Sequence, residues 1–204
     1  MNVPTAESFA AIEATLRKAV DALNRARVPF LLGGSLAVWA RGGPESLNDL
    51  DLMVRREDGD AALEALEGAG MRGERPPEGW LFKAWDRDVL VDLIFAPKGQ
   101  SVDQDSFARA EPVSAFGLEV QAMGLEDVLI TKLQAMHDHY LDYESIVQMT
   151  RAIREQVDWD LVRRETAESP YARAFFTLVE ALGLVERSTA AAEREHRPHI
   201  RVAE

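Results

Sequence analysis

Three aspartates and a short glycine-serine motif are the residues of this chain best suited to carry chemistry. Asp49 and Asp51 stand on either side of a leucine, and Asp92 lies alone inside a later apolar run. The motif Gly-Gly-Ser begins at Gly33, upstream of the first acid. Magnesium favours carboxylates together with substrate phosphates, and a glycine backbone can approach a phosphate closely. These residue types are therefore the set needed to hold a metal-bound nucleoside triphosphate.

The spacing of the acid pair predicts a shared position on one face of a strand. Successive side chains of a strand point to opposite faces, so Asp49 and Asp51 project together while Leu50 and Leu52 face the core. Two such carboxylates repel each other, and a divalent cation relieves that repulsion. For these two residues alone, an ordinary pair of surface acids on an edge strand is the alternative.

Asp92 is the third acid, and its aliphatic neighbours indicate a largely buried strand. An ionised carboxylate left unpaired in such a strand would be costly. If this strand lies beside the one that carries Asp49 and Asp51, the three acids meet at one place. Such a place can hold two metal ions around an in-line phosphoryl or nucleotidyl displacement.

Gly33, Gly34 and Ser35 stand between a predicted strand and a predicted helix. Their backbone can approach a phosphate, while the helix N-terminus and the serine hydroxyl offer hydrogen-bond donors. The motif is neither a Walker loop nor a dinucleotide-binding fingerprint, because the lysine of the one and the third glycine of the other are missing. Most double glycines are only turns, so its significance lies in its spacing to the acid pair. Ser35 as a covalent nucleophile is discounted, because no histidine pattern accompanies it.

Two lysines are candidates for the same site. Lys132 falls within the apolar stripe of a predicted helix, where a cation needs an anionic partner or must extend to solvent. A triphosphate would supply that partner, and a salt bridge to one of the three acids is the alternative. Lys83 is the weaker candidate, on a strand predicted to pair with that of Asp92. The apolar stripe consists of Leu125, Val128, Leu129 and Met136.

The elements that must position these residues form an α+β front followed by a helical C-terminal half. We expect a core at residues 1–122, a helical region at 123–185 and a flexible tail at 186–204. Apolar periodicity predicts helices at 5–27, capped by Thr5, and at 35–40 and 57–69. Alternation and turn residues predict strands at 30–32, 49–54, 80–85 and 89–95, a loop at 74–79 and a β segment at 112–122. From 124 to about 184 the pattern is helical, with breaks near Tyr140, Gln156 and Ser169.

Composition excludes several classes of protein. Cysteine is absent, which rules out disulfides and thiolate metal sites, and no apolar run approaches the ~20 residues of a membrane span. Nothing resembles a signal peptide, so a cytoplasmic location is expected. The net charge of −12 argues against a basic surface all over the protein. A local basic patch is the alternative to solvated helix charges for four arginines, Arg151, Arg154, Arg163 and Arg164.

The combined motif resembles that of the DNA polymerase β-type nucleotidyltransferase superfamily. The resemblance rests on Gly-Gly-Ser, residues 36–48, Asp-Leu-Asp-Leu and a later strand aspartate, and it covers residues 28–95 and more loosely the helix at 124–138. The chain looks most similar to the small bacterial group of AbiEii-like and MenT-like toxin transferases, and also to small aminoglycoside nucleotidyltransferases. The resemblance implies an α+β fold with a small mixed β-sheet as its nucleotidyltransferase core.

The resemblance also implies a role for each residue of the motif. Asp49 and Asp51 would bind two magnesium ions that carry an NTP substrate, and Asp92 would complete the site and help to deprotonate the acceptor hydroxyl. The glycine-serine turn would hold the phosphates, as would a lysine corresponding to Lys132. Many relatives carry an arginine and a threonine just before the first acid, where this chain has Glu45 and Leu47. This departure weakens any transfer of acceptor specificity.

The leading hypothesis is an enzyme that transfers a nucleoside monophosphate from an NTP to an acceptor hydroxyl and releases pyrophosphate. The acceptor would be a tRNA 3′ end, as in the toxin branch, or a small molecule such as an aminoglycoside. The toxin-like resemblance favours tRNA, with an antitoxin as a further partner, whereas the acidity of the chain favours a cationic aminoglycoside. The alternatives are a non-catalytic nucleotide-binding or antitoxin-like module, and a glycosyltransferase with an Asp-x-Asp motif, which would leave the glycine-serine turn unexplained.

Other polar and aromatic residues receive structural interpretations. His137, Asp138, His139 and Asp142 resemble a metal set, but residues two apart on a helix do not share a face. We therefore predict a polar helix end there. Stacking on a base is the alternative to core packing for three aromatic residues, Tyr140, Tyr143 and Trp159, and core packing is the prediction.

Overall fold

A mixed seven-stranded sheet forms the centre of the computed structural model, which describes residues 6–45, 49–97 and 101–187. Within these ranges the strand order across the sheet is β3-β4-β5-β2-β1-β7-β6. In chain order the strands are β1 Leu31–Leu32, β2 Asp49–Met53, β3 Arg72–Glu74, β4 Leu81–Asp86, β5 Val89–Ile94, β6 Glu111–Ala115 and β7 Leu118–Ala122.

Helices precede, interrupt and follow the sheet in the described part of the chain. No helix within these ranges is long and apolar enough to cross a membrane. The α-helices are α1 Ala6–Ala26, α2 Gly34–Trp39, α3 Gly59–Gly68, α4 Gln104–Ala108, α5 Leu125–Ala135, α6 Tyr143–Ile153, α7 Trp159–Glu165 and α8 Pro170–Ala181, with 3-10 turns at Arg56–Asp58 and Arg154–Gln156.

Strand pairing sets the position of every acid in the centre of the sheet. β2 runs parallel to β5 and antiparallel to β1, while β4 and β5 form an antiparallel hairpin. Leu50 and Leu52 of β2 are fully buried. Because side chains alternate along a strand, Asp49 and Asp51 lie together on the opposite face, as predicted.

The helices bury the apolar faces that their periodicity predicts. In α1 the buried residues include Ile12, Leu16, Val20 and Leu23, and in α3 they include Ala62, Leu63 and Leu66. α1 and α3 pack against each other and both contact β5. α5 contacts α2, α7 and α8, so it joins the helical C-terminal half to the turn that carries the glycines.

The α+β class is confirmed, and three local differences from the predicted elements have physical reasons. The loop prediction for 74–79 misses β3, which is short and exposed along most of its length. α4 was not predicted because it lacks an apolar stripe; it begins at a capping box between Asp103 and Ser106. The β segment at 112–122 is a hairpin, turned where Phe116 and Gly117 both adopt positive φ.

Two further predictions fall beyond the described ranges. The cap at Thr5 lies outside them, as does most of the tail, from residue 188 onward. The boundary between a core ending at 122 and a helical region beginning at 123 stays a prediction.

Candidate active site

The three predicted acids meet on one face of the sheet. Asp49 and Asp51 extend from β2 and Asp92 from β5, and the parallel register places Asp51 directly beside Asp92. One carboxylate oxygen of each residue lies within 4.8 Å of the others, and all three side chains are half-buried. Residues far apart in the chain thus form a compact group of oxygen ligands.

The acids raise one another's affinity for protons. Burial raises the pKa of Asp51 to about 7; the charge of Asp49 and, more weakly, that of Asp92 add to the rise, while Lys132 opposes it. Burial also raises the pKa of Asp92 to about 6, with Lys83 lowering it and Asp49 raising it. Ionising all three acids is therefore unfavourable unless a cation joins them.

An unpaired oxygen supports a metal site at this place. Asp92 Oδ1 is buried and accepts no hydrogen bond from the described residues. Lys83 Nζ lies 3.9 Å from it, close enough for an ion pair but too far for a hydrogen bond. Three carboxylates without sulfur or nitrogen ligands suit a hard divalent cation such as magnesium. The residues present thus fit the metal that the resemblance implies.

The glycine turn touches the acid pair directly. Gly33 donates its N–H to the main-chain oxygen of Asp51 at 2.8 Å. Gly34 adopts φ +54°, and a Cβ on it would overlap Asp51 Oδ2. Glycine is required at this position for both reasons, since other residues rarely adopt positive φ. The spacing between the motif and the acids therefore reflects a direct contact between them. Ser35 follows at the beginning of α2 and is half-buried.

Both predicted lysines face the acids from different elements. Lys83 lies opposite Asp92 in the β4–β5 register, which forms the long ion pair described above. Lys132 of α5 lines the same cleft as Gly34 and Asp51. Its charge lowers the pKa of Asp51, against the effect of burial. The cleft therefore has a cation on the wall that faces the carboxylates.

A cleft of about 540 Å³ adjoins the acids, and one of its lining residues, Trp80, was not singled out from the sequence. Trp80 lies just before β4 and is exposed. Its neighbour Leu81 pairs with Ile94, and the Trp80 main-chain oxygen accepts hydrogen bonds from the N–H groups of Phe95 and Ala96, so the predicted β4–β5 hairpin could have placed it here. Asp142, which was set aside with the histidines, lines the cleft as well. Tyr140 also lines it.

The prediction of core packing is wrong for Tyr140, which is 51% exposed. Burial raises the pKa of the Tyr140 hydroxyl, and the charges of Asp142 and Asp49 raise it further, so the phenol lies near the acids. Tyr143 and Trp159 do pack against the core, as predicted. Core packing was predicted for Tyr140 because the helix before it was expected to continue to about residue 138, whereas it ends at Ala135.

The predicted polar helix end at residues 137–139 is wrong in its geometry. α5 ends at Ala135, and His137 and Tyr140 form an isolated β-bridge with reciprocal backbone hydrogen bonds of 3.0 and 2.8 Å. Both histidines are exposed, and Asp138 accepts a hydrogen bond from the Tyr171 hydroxyl. A short bridge thus replaces the last helical turn, because its backbone groups pair with each other.

Three of the four arginines considered for a basic patch pair with acids. Arg163 is largely buried, against the prediction of a solvated charge; it lies 2.7 Å from Glu180 and over the ring of Phe176. Arg154 and Arg164 pair with the glutamate that follows each of them in the chain. These contacts do not form the basic patch that was the alternative.

Comparison with known proteins identifies the class. A family model described as "Uncharacterised nucleotidyltransferase" matches residues 7–185, and the chain therefore belongs to this family. The predicted superfamily and the prediction of a nucleotidyltransferase are both confirmed, while the toxin-like subgroup stays a prediction. A search of curated proteins finds no match.

Two solved structures share the fold at low sequence identity. The crystal structure of ANT(2")-Ia in complex with adenylyl-2"-tobramycin is 16% identical, with a TM-score of 0.60, over 81% of this chain and 99% of that chain. An antigenic nucleotidyltransferase-like protein from Paracoccidioides brasiliensis is 14% identical, with a TM-score of 0.53, over 91% of this chain and 97% of that chain. Both likenesses concern the fold alone.

Magnesium is expected to stabilise the protein more at pH 8 than at pH 5. Asp51 and Asp92 have raised pKa values in the folded protein, so folding favours their protonated forms. The stability that these two groups contribute is fully present below pH 3.8 and is lost as pH rises through about 6 for Asp92 and about 7 for Asp51. Metal binding requires ionised carboxylates and offsets that loss. Thermal unfolding with magnesium or with a chelator, at both pH values, measures the increment.

The matched control for this experiment is Asp88→Asn, which changes an exposed turn acid outside the site. It should keep the full increment. An equal increment at pH 5 and pH 8, or an increment that survives Asp49→Asn, would contradict a metal site at the three acids.

Proposed function

We propose that the protein transfers a nucleoside monophosphate from a magnesium-bound NTP to a hydroxyl group of a small-molecule acceptor. The convergence of Asp49, Asp51 and Asp92 within 4.8 Å, against the glycine turn, is the observation that carries this proposal. Family membership supports nucleotidyl transfer as the reaction. The likeness to ANT(2")-Ia, whose structure contains an adenylylated aminoglycoside, supports a small molecule as the acceptor.

Transfer to a tRNA 3′ end is the alternative acceptor reaction. Nucleic-acid recognition depends on free cations that contact phosphates. The net charge of −12 and the pairing of Arg154, Arg163 and Arg164 with acids disfavour it. We therefore place the small molecule first, which reverses the preference drawn from the toxin-like resemblance. An antitoxin partner belongs to the tRNA alternative, and a cytoplasmic location stays an expectation.

In the proposed reaction the side chains bind, orient and move one proton. The three acids would hold the divalent ions, which supply neutralisation of charge on the triphosphate as the displacement proceeds. Lys132 would bind phosphate oxygens, and Gly34 and Ser35 would hold them from the turn. The acceptor oxygen forms a bond to the α-phosphorus while the bond from that phosphorus to the β-phosphate bridging oxygen breaks. Pyrophosphate leaves, and the hydroxyl proton passes to Asp92 and then to solvent.

Lys83 is proposed as a positioning residue for Asp92. Its ammonium lies beside the carboxylate that would receive the proton, and it lowers the pKa of that acid against the effect of burial. A carboxylate that is held ionised near neutral pH can act as a base. Lys83 would thus keep Asp92 available for the acceptor hydroxyl.

The test of the proposed function follows label from the α-phosphate of each NTP into an acceptor. The protein is incubated with magnesium and separately with aminoglycosides, neutral hydroxylated compounds or total tRNA. Label should reach a small molecule with the wild-type protein and not with Asp49→Ala. If label reaches tRNA alone, tRNA and not a small molecule is the acceptor. If the protein binds nucleotide but transfers no label, it is a non-catalytic module. Wild type equal to Asp49→Ala in every arm would end the enzymatic proposal.

Lys132→Gln is expected to raise KM for the NTP by about tenfold to a hundredfold, because a hydrogen bond to a charged group contributes ~1.5–3 kcal/mol. Initial rates at several NTP concentrations measure the effect. Lys18→Gln is the matched control, since Lys18 pairs with Asp86 at 2.7 Å and does not line the cleft. An unchanged KM for Lys132→Gln would remove this lysine from the phosphate site.

A further inference from the structure

The cleft beside the three acids has a largely apolar lining, as ligand sites commonly do. Met53, Ile94, Met123 and Val128 contribute its walls, together with the rings of Trp80 and Tyr140. Among the described residues that line it, the charged ones are Asp51, Lys132 and Asp142. The first two belong to the proposed metal and phosphate site, so Asp142 is the one remaining charged residue among the described lining residues, too few for an acceptor with several ammonium groups.

Two of the large exposed apolar side chains of the described residues line this cleft, and a third follows one of them in the chain. Trp80 is 39% exposed and Tyr140 is 51% exposed, and Leu141, next in the chain, is 53% exposed. Hydration of such large apolar surfaces is unfavourable, and flat aromatic rings are favourable surfaces for another ring. The backbone bridge between His137 and Tyr140 fixes the main chain that carries the Tyr140 ring. The cleft is therefore suited to a flat apolar group.

A polycation fits this lining poorly. Each buried ammonium group requires an anionic or hydrogen-bonding partner. An adjoining groove contains further acids, but two of them are engaged: Asp127 pairs with Arg109 at 3.0 Å, and Asp103 accepts the N–H of Ser106 at 3.0 Å. The other acids of the groove, Asp105 and Glu165, do not line the apolar cleft itself.

Resting on the proposed function, we propose that the acceptor is a neutral alcohol with a flat, largely apolar body, bound against Trp80 and Tyr140. Its hydroxyl would reach the α-phosphorus of the NTP that is bound, through the metal ions, at the three acids. The bonds formed and broken are those of the proposed reaction. The substrate class thus differs from the aminoglycoside in the ANT(2")-Ia structure, whose likeness to this chain concerns the fold.

The first arm of the test measures binding of N-phenyl-1-naphthylamine, a neutral aromatic fluorophore, to the full chain. Trp80→Ala and Tyr140→Ala should each weaken binding by about fivefold or more, because an aromatic pair contributes beyond its buried area. Tyr140→Phe keeps the ring and should keep the affinity. The control is the double variant Leu178→Ala and Leu182→Ala, which removes exposed apolar side chains on α8 and at its C-terminal end, away from the cleft lining. Equal binding by the cleft variants and wild type would overturn the proposal.

The second arm asks which substrate occupies the apolar lining. A non-hydrolysable NTP analogue with magnesium should leave the fluorophore bound, a neutral phenyl glycoside should displace it, and tobramycin should not. A different outcome with any of these three compounds overturns the proposal. Displacement of the fluorophore by the NTP analogue would show that the nucleobase occupies the apolar lining. Thermal shift in the same samples reports binding of the analogue independently. If the NTP analogue does not bind, the proposed function itself is contradicted. If the analogue binds and displaces the fluorophore, only the proposed class of acceptor is contradicted.

Discussion

Asp51→Asn should abolish nucleotidyl transfer while stabilising the metal-free protein. Loss of the charge removes a proposed metal ligand, and we expect the rate to fall by at least about a thousandfold, as for other groups that stabilise a transition state. The same change removes a carboxylate whose pKa is raised to about 7, mainly by burial. A neutral amide of the same shape does not carry the cost of ionisation. Activity and stability therefore change in opposite directions.

The stability gain has a definite pH dependence. Asp51 destabilises the folded state as pH rises from the ordinary value of 3.8 through about 7, so the gain from Asn is fully present at pH 8 and vanishes near pH 4. One pKa unit corresponds to ~1.4 kcal/mol, so a rise from 3.8 to about 7 gives a gain of up to ~4 kcal/mol and a thermal midpoint higher by up to roughly 8–16 °C.

The comparison for Asp51→Asn is made in the presence of a chelator, with unfolding followed at pH 5 and pH 8. Asp88→Asn, in the exposed turn between β4 and β5, should change the midpoint little at either pH. A lower midpoint for Asp51→Asn at pH 8 would show that the carboxylate stabilises the apo fold. Retained transfer activity would remove Asp51 from the mechanism.

Gly34→Ala should impair both folding and catalysis. The residue adopts φ +54°, where a side chain costs ~1 kcal/mol or more, and the new Cβ would overlap Asp51 Oδ2. The chain must then shift either the turn or the carboxylate. We expect a loss of ~2–4 kcal/mol in the free energy of unfolding and a fall of at least about a hundredfold in transfer rate.

Gly183→Ala separates backbone strain from the overlap. Gly183 adopts φ +66°, and a Cβ there would meet nothing within 4 Å. This variant should lose ~1 kcal/mol of stability and keep full activity. Denaturant unfolding and transfer assays on both variants give the comparison. If Gly34→Ala behaved like Gly183→Ala in both assays, the contact between the glycine turn and Asp51 would have no functional importance.

Residue patterns alone were sufficient to predict the α+β class and to place Asp49 and Asp51 on the same face of β2. Alternation in β2 predicts that Asp49 and Asp51 share a side, and the buried Leu50 and Leu52 agree with it. Local periodicity carries this information because it depends on residues within one element. The roles of these acids, of Lys83 and of Lys132 in binding and catalysis stay predictions that the proposed variants test.

Sequence analysis missed the elements that lack a periodic apolar pattern or that depend on contacts between distant residues. β3 is short and exposed along most of its length, and α4 owes its start to a capping box between Asp103 and Ser106. Neither produces a periodic apolar pattern. The same limitation explains the error at Tyr140, because the end of α5 is set by a backbone bridge between two loop residues.

By itself the sequence determined which residues could hold a metal-bound triphosphate, since side-chain chemistry and strand alternation are local properties. Only the tertiary structure decided that Asp51 lies beside Asp92 and that Lys83 lies opposite it, because register depends on packing between strands distant in the chain. It also decided the shape of the cleft, whose apolar walls come from strands, loops and α5 together. Acceptor preference, which depends on that shape, therefore could not be read from the motif.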